Sequence, residues 1–226
     1  MDDVIEYISY MSNRSSGAVG IPNILIWTYY FWKRDCETGF YIKDPDYYIR
    51  QSFQKLIYRL NQPFMRASQT AFVNVSIFDS NYIEALFGGV QFPDGTYVID
   101  CAEELIEHQK LFMQVVSQIR SENMFTFPVF TYSLLHQNGN FVDEEFARWC
   151  SDHNTLWNDS NFFVSGDVTT LSNCCRLLSD TSKLNAFINS IGGTALSVGS
   201  VKVNTIRKTT TMMPDLRNKG ICHIWK

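Results

Sequence analysis

Several chemistries are excluded by what these 226 residues lack. No CxxC pair occurs among six cysteines, so a zinc ribbon or thioredoxin-type motif has no support. No GxSxG elbow nominates a serine for a Ser-His-Asp triad. Neither a P-loop nor a dinucleotide-binding glycine fingerprint is present. His108, His136, His153 and His223 never fall three or four apart, so paired helical metal ligation is not offered, and they read as exposed helix or loop residues. The most apolar stretch, Ile21 to Trp32, is broken by Pro22, Asn23 and Thr28 and is shorter than the about 20 residues a membrane span needs. Met1-Asp2-Asp3 carries the wrong charge for a secretory signal. Glycine and proline are scarce, 12 and 6, which excludes collagen-like and low-complexity chains. With no leader and an aromatic-rich composition, the cysteines do not read as a secreted disulfide scaffold. The expectation is a cytoplasmic globular protein without a membrane partner.

What is present supports a sizeable core. Hydrophobic residues make up 45% and aromatics 15%, too much apolar area for a disordered chain. The net charge is −4, but it is uneven: residues 207–226 carry +4 and residues 1–206 carry −8. An acidic body argues against non-specific nucleic-acid binding, which needs phosphate-neutralising lysine and arginine.

The pattern along the chain alternates strands and helices. Residues 1–12 read as a short helix and 13–20 as a loop. Ile21 to Trp32 is apolar on every side, a buried element of either type. Asp44-Pro45-Asp46 opens a helix to about Leu60, with Phe53, Leu56, Ile57 and Leu60 at helical spacing. Residues 70–78 alternate, with Ala71, Val73, Val75 and Ile77 on one face, and predict a strand. The other face offers Asn74 and Ser76. Asn74 either faces solvent or, inside a barrel, meets a substrate. Asp100 with Glu103 resembles an N-cap arrangement for a helix to about Arg120. Phe125 to Leu135 reads as a buried parallel strand, and Asn138-Gly139 as a turn. A third helix spans Phe141 to Trp157, and Asn161 to Val164 forms a short buried strand. The alternation favours an α/β fold with parallel strands; barrel and open sheet are not separable by pattern.

Two segments suggest chemistry. In Ser172-Asn173-Cys174-Cys175-Arg176-Leu177 a guanidinium beside a cysteine favours the thiolate, and a loop after a strand is where α/β enzymes place reactive groups. Two small buried hydrophobes beside a structural arginine is the plainer reading. In residues 191–200 three glycines and three hydroxyls make a loop whose amides can approach an anion.

Together, many colinear segments resemble anaerobic (class III) ribonucleoside-triphosphate reductases across residues 1–206. They are Asp159 to Val164, Leu171 to Leu177, Asn189 to Leu196 and Val198 to Ile206, with Ser16 to Gly20, Leu60 to Phe64, Phe72 to Asp79, Asn123 to Pro128 and Asp143 to Trp149 upstream. The resemblance implies an α/β fold forming part of a ten-stranded α/β barrel with a central finger loop, of the glycyl-radical enzyme type. It implies a glycyl radical installed by a radical-SAM activase, and a thiyl radical on a finger-loop cysteine that abstracts the 3′-hydrogen of a ribonucleotide. Formate or a small redoxin supplies electrons, ribonucleoside triphosphates are the substrates, and the complete enzyme is a homodimer with allosteric nucleotide sites. The family's radical cysteine directly precedes arginine, which assigns catalysis to Cys175. Ser172, Asn173, Gly192, Gly193 and Ser197 flank the finger loop and are expected to line the substrate pocket, with Asn74 on the strand face.

Three departures accompany the match. The family's other active-site cysteine, on its first barrel strand, would fall before Met1. Neither the family's zinc-binding cysteine cluster nor its glycyl-radical motif follows Cys175. The resemblance stops at Ile206, and the basic tail 207–226 reads as unrelated, as if the gene were interrupted or split. The expectation is therefore a partial catalytic barrel, inactive alone, whose missing reductase segments are its partners. The alternative is a non-catalytic nucleotide- or partner-binding module using loop 191–200.

Overall fold

The alternating residues 70–78 do form a strand. The computed structural model describes residues 1–14, 18–39, 44–172 and 178–180. In it β2 (Val73–Phe78) lies in the middle of a parallel sheet, buried on both faces. Its neighbours are β1 (Val19–Gly20) and β3 (Val129–Gln137), and β5 (Ser160–Ser165) pairs with the far side of β3. The short β4 (Asn140–Phe141) folds back antiparallel on β3 through Asn138-Gly139. Both turn residues have positive φ, 51° and 87°, which asparagine and glycine tolerate.

Each parallel connection carries helices: α2 (Ile24–Glu37) and α3 (Pro45–Leu60) between β1 and β2, α4 (Ser80–Phe87) and α5 (Ala102–Glu122) between β2 and β3, and α6 (Glu144–Trp157) before β5. An N-terminal helix, α1 (Asp2–Ser12), precedes them. The parallel strands follow chain order across the sheet without reversal. Right-handed crossovers in that order put successive helices on the same face, whereas a doubly wound sheet reverses order and covers both. The core agrees. Val73, Val75, Ile77, Phe130, Tyr132 and Leu134 form one cluster with residues from α1, α2, α3, α5 and α6. A sheet with one helical layer is an arc of an α/β barrel.

Local chemistry explains most boundaries. Asp44, Asp79 and Asp143 cap α3, α4 and α6 by accepting from the amides of Tyr47, Tyr82 and Phe146 at 3.0, 2.8 and 3.1 Å. Pro45 occupies the first turn of α3, where its missing N–H costs nothing.

Some sequence expectations need correction. Residues 13–20 are not all loop, since Val19 and Gly20 pair with β2. The ambiguous Ile21–Trp32 stretch is mostly helix. Asp100 does not cap α5; it lies in a 3₁₀ turn (Val98–Cys101), and α5 starts without a side-chain cap. The strand near Asn161 is not buried: β5 is a sheet edge, with Phe162 and Val164 44% and 46% exposed. The histidines are not uniformly exposed, because His108 is buried and His153 nearly so.

Candidate functional site

Side chains alternate across a strand, so the sheet face away from the helices carries the other half of each strand. It presents Gly20 from β1, Asn74, Ser76 and Phe78 from β2, Thr131, Ser133 and Leu135 from β3, and Asn161, Phe163 and Ser165 from β5. Ser76, Thr131 and Asn161 share one register level, and Phe78, Ser133 and Phe163 share the next toward the strand C-termini. Asn74 is buried rather than solvent-facing, and its Oδ1 accepts a hydrogen bond from Thr131 Oγ1 at 3.1 Å. Ser133 Oγ is fully buried and has no hydrogen-bond partner. In α/β barrels this face, at the C-terminal ends of the strands, is where substrates meet the protein.

The rim of this face is built by Asp79 and Tyr82. Asp79 Oδ1 caps α4, while Oδ2 accepts from the Leu135 amide at 2.7 Å. Burial pushes its carboxyl above the usual range, and the backbone amides that bond it pull the other way. Tyr82 stacks on Phe78, with ring centroids 6.2 Å apart, and its hydroxyl donates to Thr170 O at 3.0 Å. Burial pushes that phenol to about 12, so it stays a neutral donor.

Thr170 begins β6 (Thr170–Ser172), which pairs antiparallel with β7 (Leu178–Asp180). Leu171 packs in one cluster with Phe78, Tyr82 and Phe163, so this hairpin lies on the inner-face side of the sheet. Residues 173–177, in which Cys175 is the central one, join its two strands. Of the expected site residues, Asn74 sits on the inner face and Ser172 ends β6. Cys175, Asn173, Gly192, Gly193 and Ser197 lie outside the described residues.

A second polar cluster lies among the helices. Ser117 Oγ donates to Met113 O at 2.9 Å, so its contact with His153 Nε2 at 2.8 Å runs from the imidazole to the hydroxyl. His153 Nδ1 then accepts from Tyr132 OH at 2.9 Å. Asp159 pairs with Arg120 at 2.9 Å and stands 4.0 Å from His153. Serine, histidine and aspartate meet here, but the serine proton points to a carbonyl and the imidazole lone pair is occupied. The cluster ties α5 and α6 to β3 and does not activate a nucleophile. Among the described residues no group of three or more metal-ligating side chains occurs, and no helix is long and apolar enough to cross a membrane.

Comparison with known proteins decides the family. The sequence family of anaerobic ribonucleoside-triphosphate reductases matches residues 1–213. The chain belongs to that family. The anaerobic ribonucleotide reductase from Thermotoga maritima with dATP bound in the specificity site is 43% identical, with a TM-score of 0.71, over 73% of this chain and 28% of that one. The same enzyme in complex with dATP and CTP is 42% identical over 76% and 28%, also at 0.71. With citrate in the active site, it matches at 43% identity over 73% and 30%, at 0.69. No curated protein matches. The chain thus spans under a third of the reductases it resembles. The parallel sheet with its single helical layer is part of the α/β barrel of this glycyl-radical enzyme family. The ribonucleotide reductase match does not favour a non-catalytic module built on loop 191–200. The signal for the inner face was present in Asn74 and Ser76. Asp79, Tyr82 and Ser133 were not singled out, because their roles depend on partners remote in sequence.

Proposed function

We propose that this chain supplies the substrate-facing arc of an anaerobic ribonucleoside-triphosphate reductase, with Cys175 as its radical-bearing residue. The observation that carries the reading is the family match across residues 1–213. It is supported by an inner sheet face that carries Asn74, Ser76 and Thr131, and by the β6–β7 hairpin packed on that side of the sheet. A glycyl radical, held on a glycine outside this chain, supplies the unpaired electron in this family.

Cys175 then acts as follows. Its sulfur, as a thiyl radical, takes the 3′-hydrogen from a ribonucleotide, so an S–H bond forms as the C3′–H bond breaks. The 2′-hydroxyl leaves as water after gaining a proton. Formate or a small redoxin supplies the two electrons that complete reduction, and Cys175 returns the hydrogen to C3′. Asn74 contributes polar contacts from the strand face, and Ser172, Asn173, Gly192, Gly193 and Ser197 line the pocket around Cys175. The reductase segments beyond this chain, a radical-SAM activase and a second copy of the complete enzyme are its partners, in the cytoplasm. The family match runs through residue 213, so residues 207–213 belong with the matched region and residues 214–226 lie beyond it.

The test is anaerobic reconstitution with the complementary reductase segments and activase, followed by a ribonucleotide-reduction assay. Cys175→Ser is expected to abolish reduction and to leave nucleotide binding intact. Retained turnover in that variant would refute the assignment.

A further inference from the structure

The β6–β7 hairpin is tied to the sheet by a side chain from another element. Tyr82, in the first turn of α4, is fully buried and stacks on Phe78. Its hydroxyl donates to Thr170 O at 3.0 Å and stands 3.3 Å from Asp167 O, so one phenol proton faces two carbonyls at the entry to the hairpin. A phenylalanine would fill the same space, but it could not meet these carbonyls.

The residue that carries this donor is itself held rigidly. Asp79 Oδ1 accepts from the Tyr82 amide and Oδ2 from the Leu135 amide, and the Asp79 amide donates to Ser133 O at 3.2 Å. The first turn of α4 is thereby fixed to the C-terminal end of β3, a firm base for a positioning contact. The segment that Tyr82 grips is shaped by its own turn, in which Asp167 Oδ1 accepts from the Thr169 amide at 2.8 Å. Leu171, the next residue after Thr170, is buried with Phe78 and Tyr82. Gln137 Nε2 adds a longer, exposed contact to Gly166 O at 3.4 Å. Beyond Ser172, five residues, 173–177, lead to its strand partner Leu178. So short a connection must follow its two strands wherever they are placed.

We propose that Tyr82 is a positioning residue of the reductase: its hydroxyl sets where the hairpin carrying Cys175 stands over the inner sheet face, without touching substrate. The assignment rests on the reductase reading above, with Cys175 as the radical-bearing residue.

Tyr82→Phe, which keeps the ring and removes the donor, tests it by two measurements. In the full chain, amide hydrogen exchange should become about tenfold faster across Thr170–Ser172 and Leu178–Asp180, the effect of one lost hydrogen bond, and stay unchanged in Val73–Phe78. In the reductase reconstituted anaerobically, kcat with CTP as substrate should fall about tenfold at an unchanged KM, because the reacting atoms are misaligned while nucleotide binding is not. Equal hairpin exchange in the two proteins overturns the proposal. Exchange accelerated equally in β2 also overturns it, since the hydroxyl would then have a general stabilising role. Faster hairpin exchange with an unchanged kcat overturns it too, and leaves the reductase reading standing. A wild-type assembly without turnover refutes that reading and takes the positioning role with it.

Discussion

Acid should unfold this domain through His108. The side chain is 4% exposed and packed edge-on against Tyr29 and Phe53, with ring centroids 5.7 and 5.3 Å away. Thr28 Oγ1 donates to Leu25 O, so at its 3.2 Å contact with His108 Nε2 it accepts the imidazole proton. Nδ1 is left as a buried lone pair with no partner. Protonation would place a charged N–H there, among aromatic rings, with nothing to accept it. Burial accordingly lowers the group to about 3 from the ordinary 6.5. In the unfolded chain the imidazole takes its proton near pH 6.5, and in the folded chain only near pH 3. The folded state therefore binds fewer protons between those values, and stability falls as pH falls through that window. From pH 7 to pH 4 the linkage amounts to about 3 kcal/mol. Urea unfolding at a series of pH values measures it in the wild type and in His108→Leu, which cannot titrate. The variant should lose most of that acid slope, whatever its stability at pH 7. An equal slope in both proteins would refute the reasoning, because the buried lone pair would then not be the acid-sensitive element.

Two other perturbations have defined outcomes. Gln109 in α5 grips the end of β2 by accepting from the Phe78 amide at 2.8 Å and donating to the Phe78 carbonyl at 2.9 Å. Gln109→Leu strands both buried groups and should cost about 2–4 kcal/mol in urea unfolding; a loss under about 1 kcal/mol would contradict the clamp. Tyr132→Phe removes the donor that favours neutral His153, a residue that burial already holds below the ordinary range. Its titration, followed by NMR, should move upward, and a downward shift would mean that the imidazole donates to Tyr132.

Legibility in the sequence tracked how local the cause was. Asp44-Pro45 opened α3 and Asn138-Gly139 closed a hairpin because the signal and the structure occupy the same few residues. β2 was legible because polar and apolar residues alternate along it. In β3, Thr131 and Ser133 face the same way as Asn74 does, but they sit among Phe130, Tyr132, Leu134 and Leu135, and the run reads as uniformly buried. Ile21–Trp32 is apolar all round, and only its packing against α5 and α3 settles it as helix. The histidines were misread for a similar reason. Thr28 is 80 positions from His108, and Ser117 is 36 from His153, so nothing nearby announces that either imidazole is enclosed. For the candidate site, Asn74 was accessible to pattern reading, whereas the rim formed by Asp79 and Tyr82 exists only once β2, β3 and β6 have met.

The Gln109–Phe78–Tyr82–Thr170 contacts run in series from the outer helical layer, through the end of β2, to the first residue of the hairpin that leads into residues 173–177. Side chains of α5 and α4 thereby help fix where that hairpin leaves the sheet. Substitutions along this strut should shift the hairpin before they unfold the sheet beneath it.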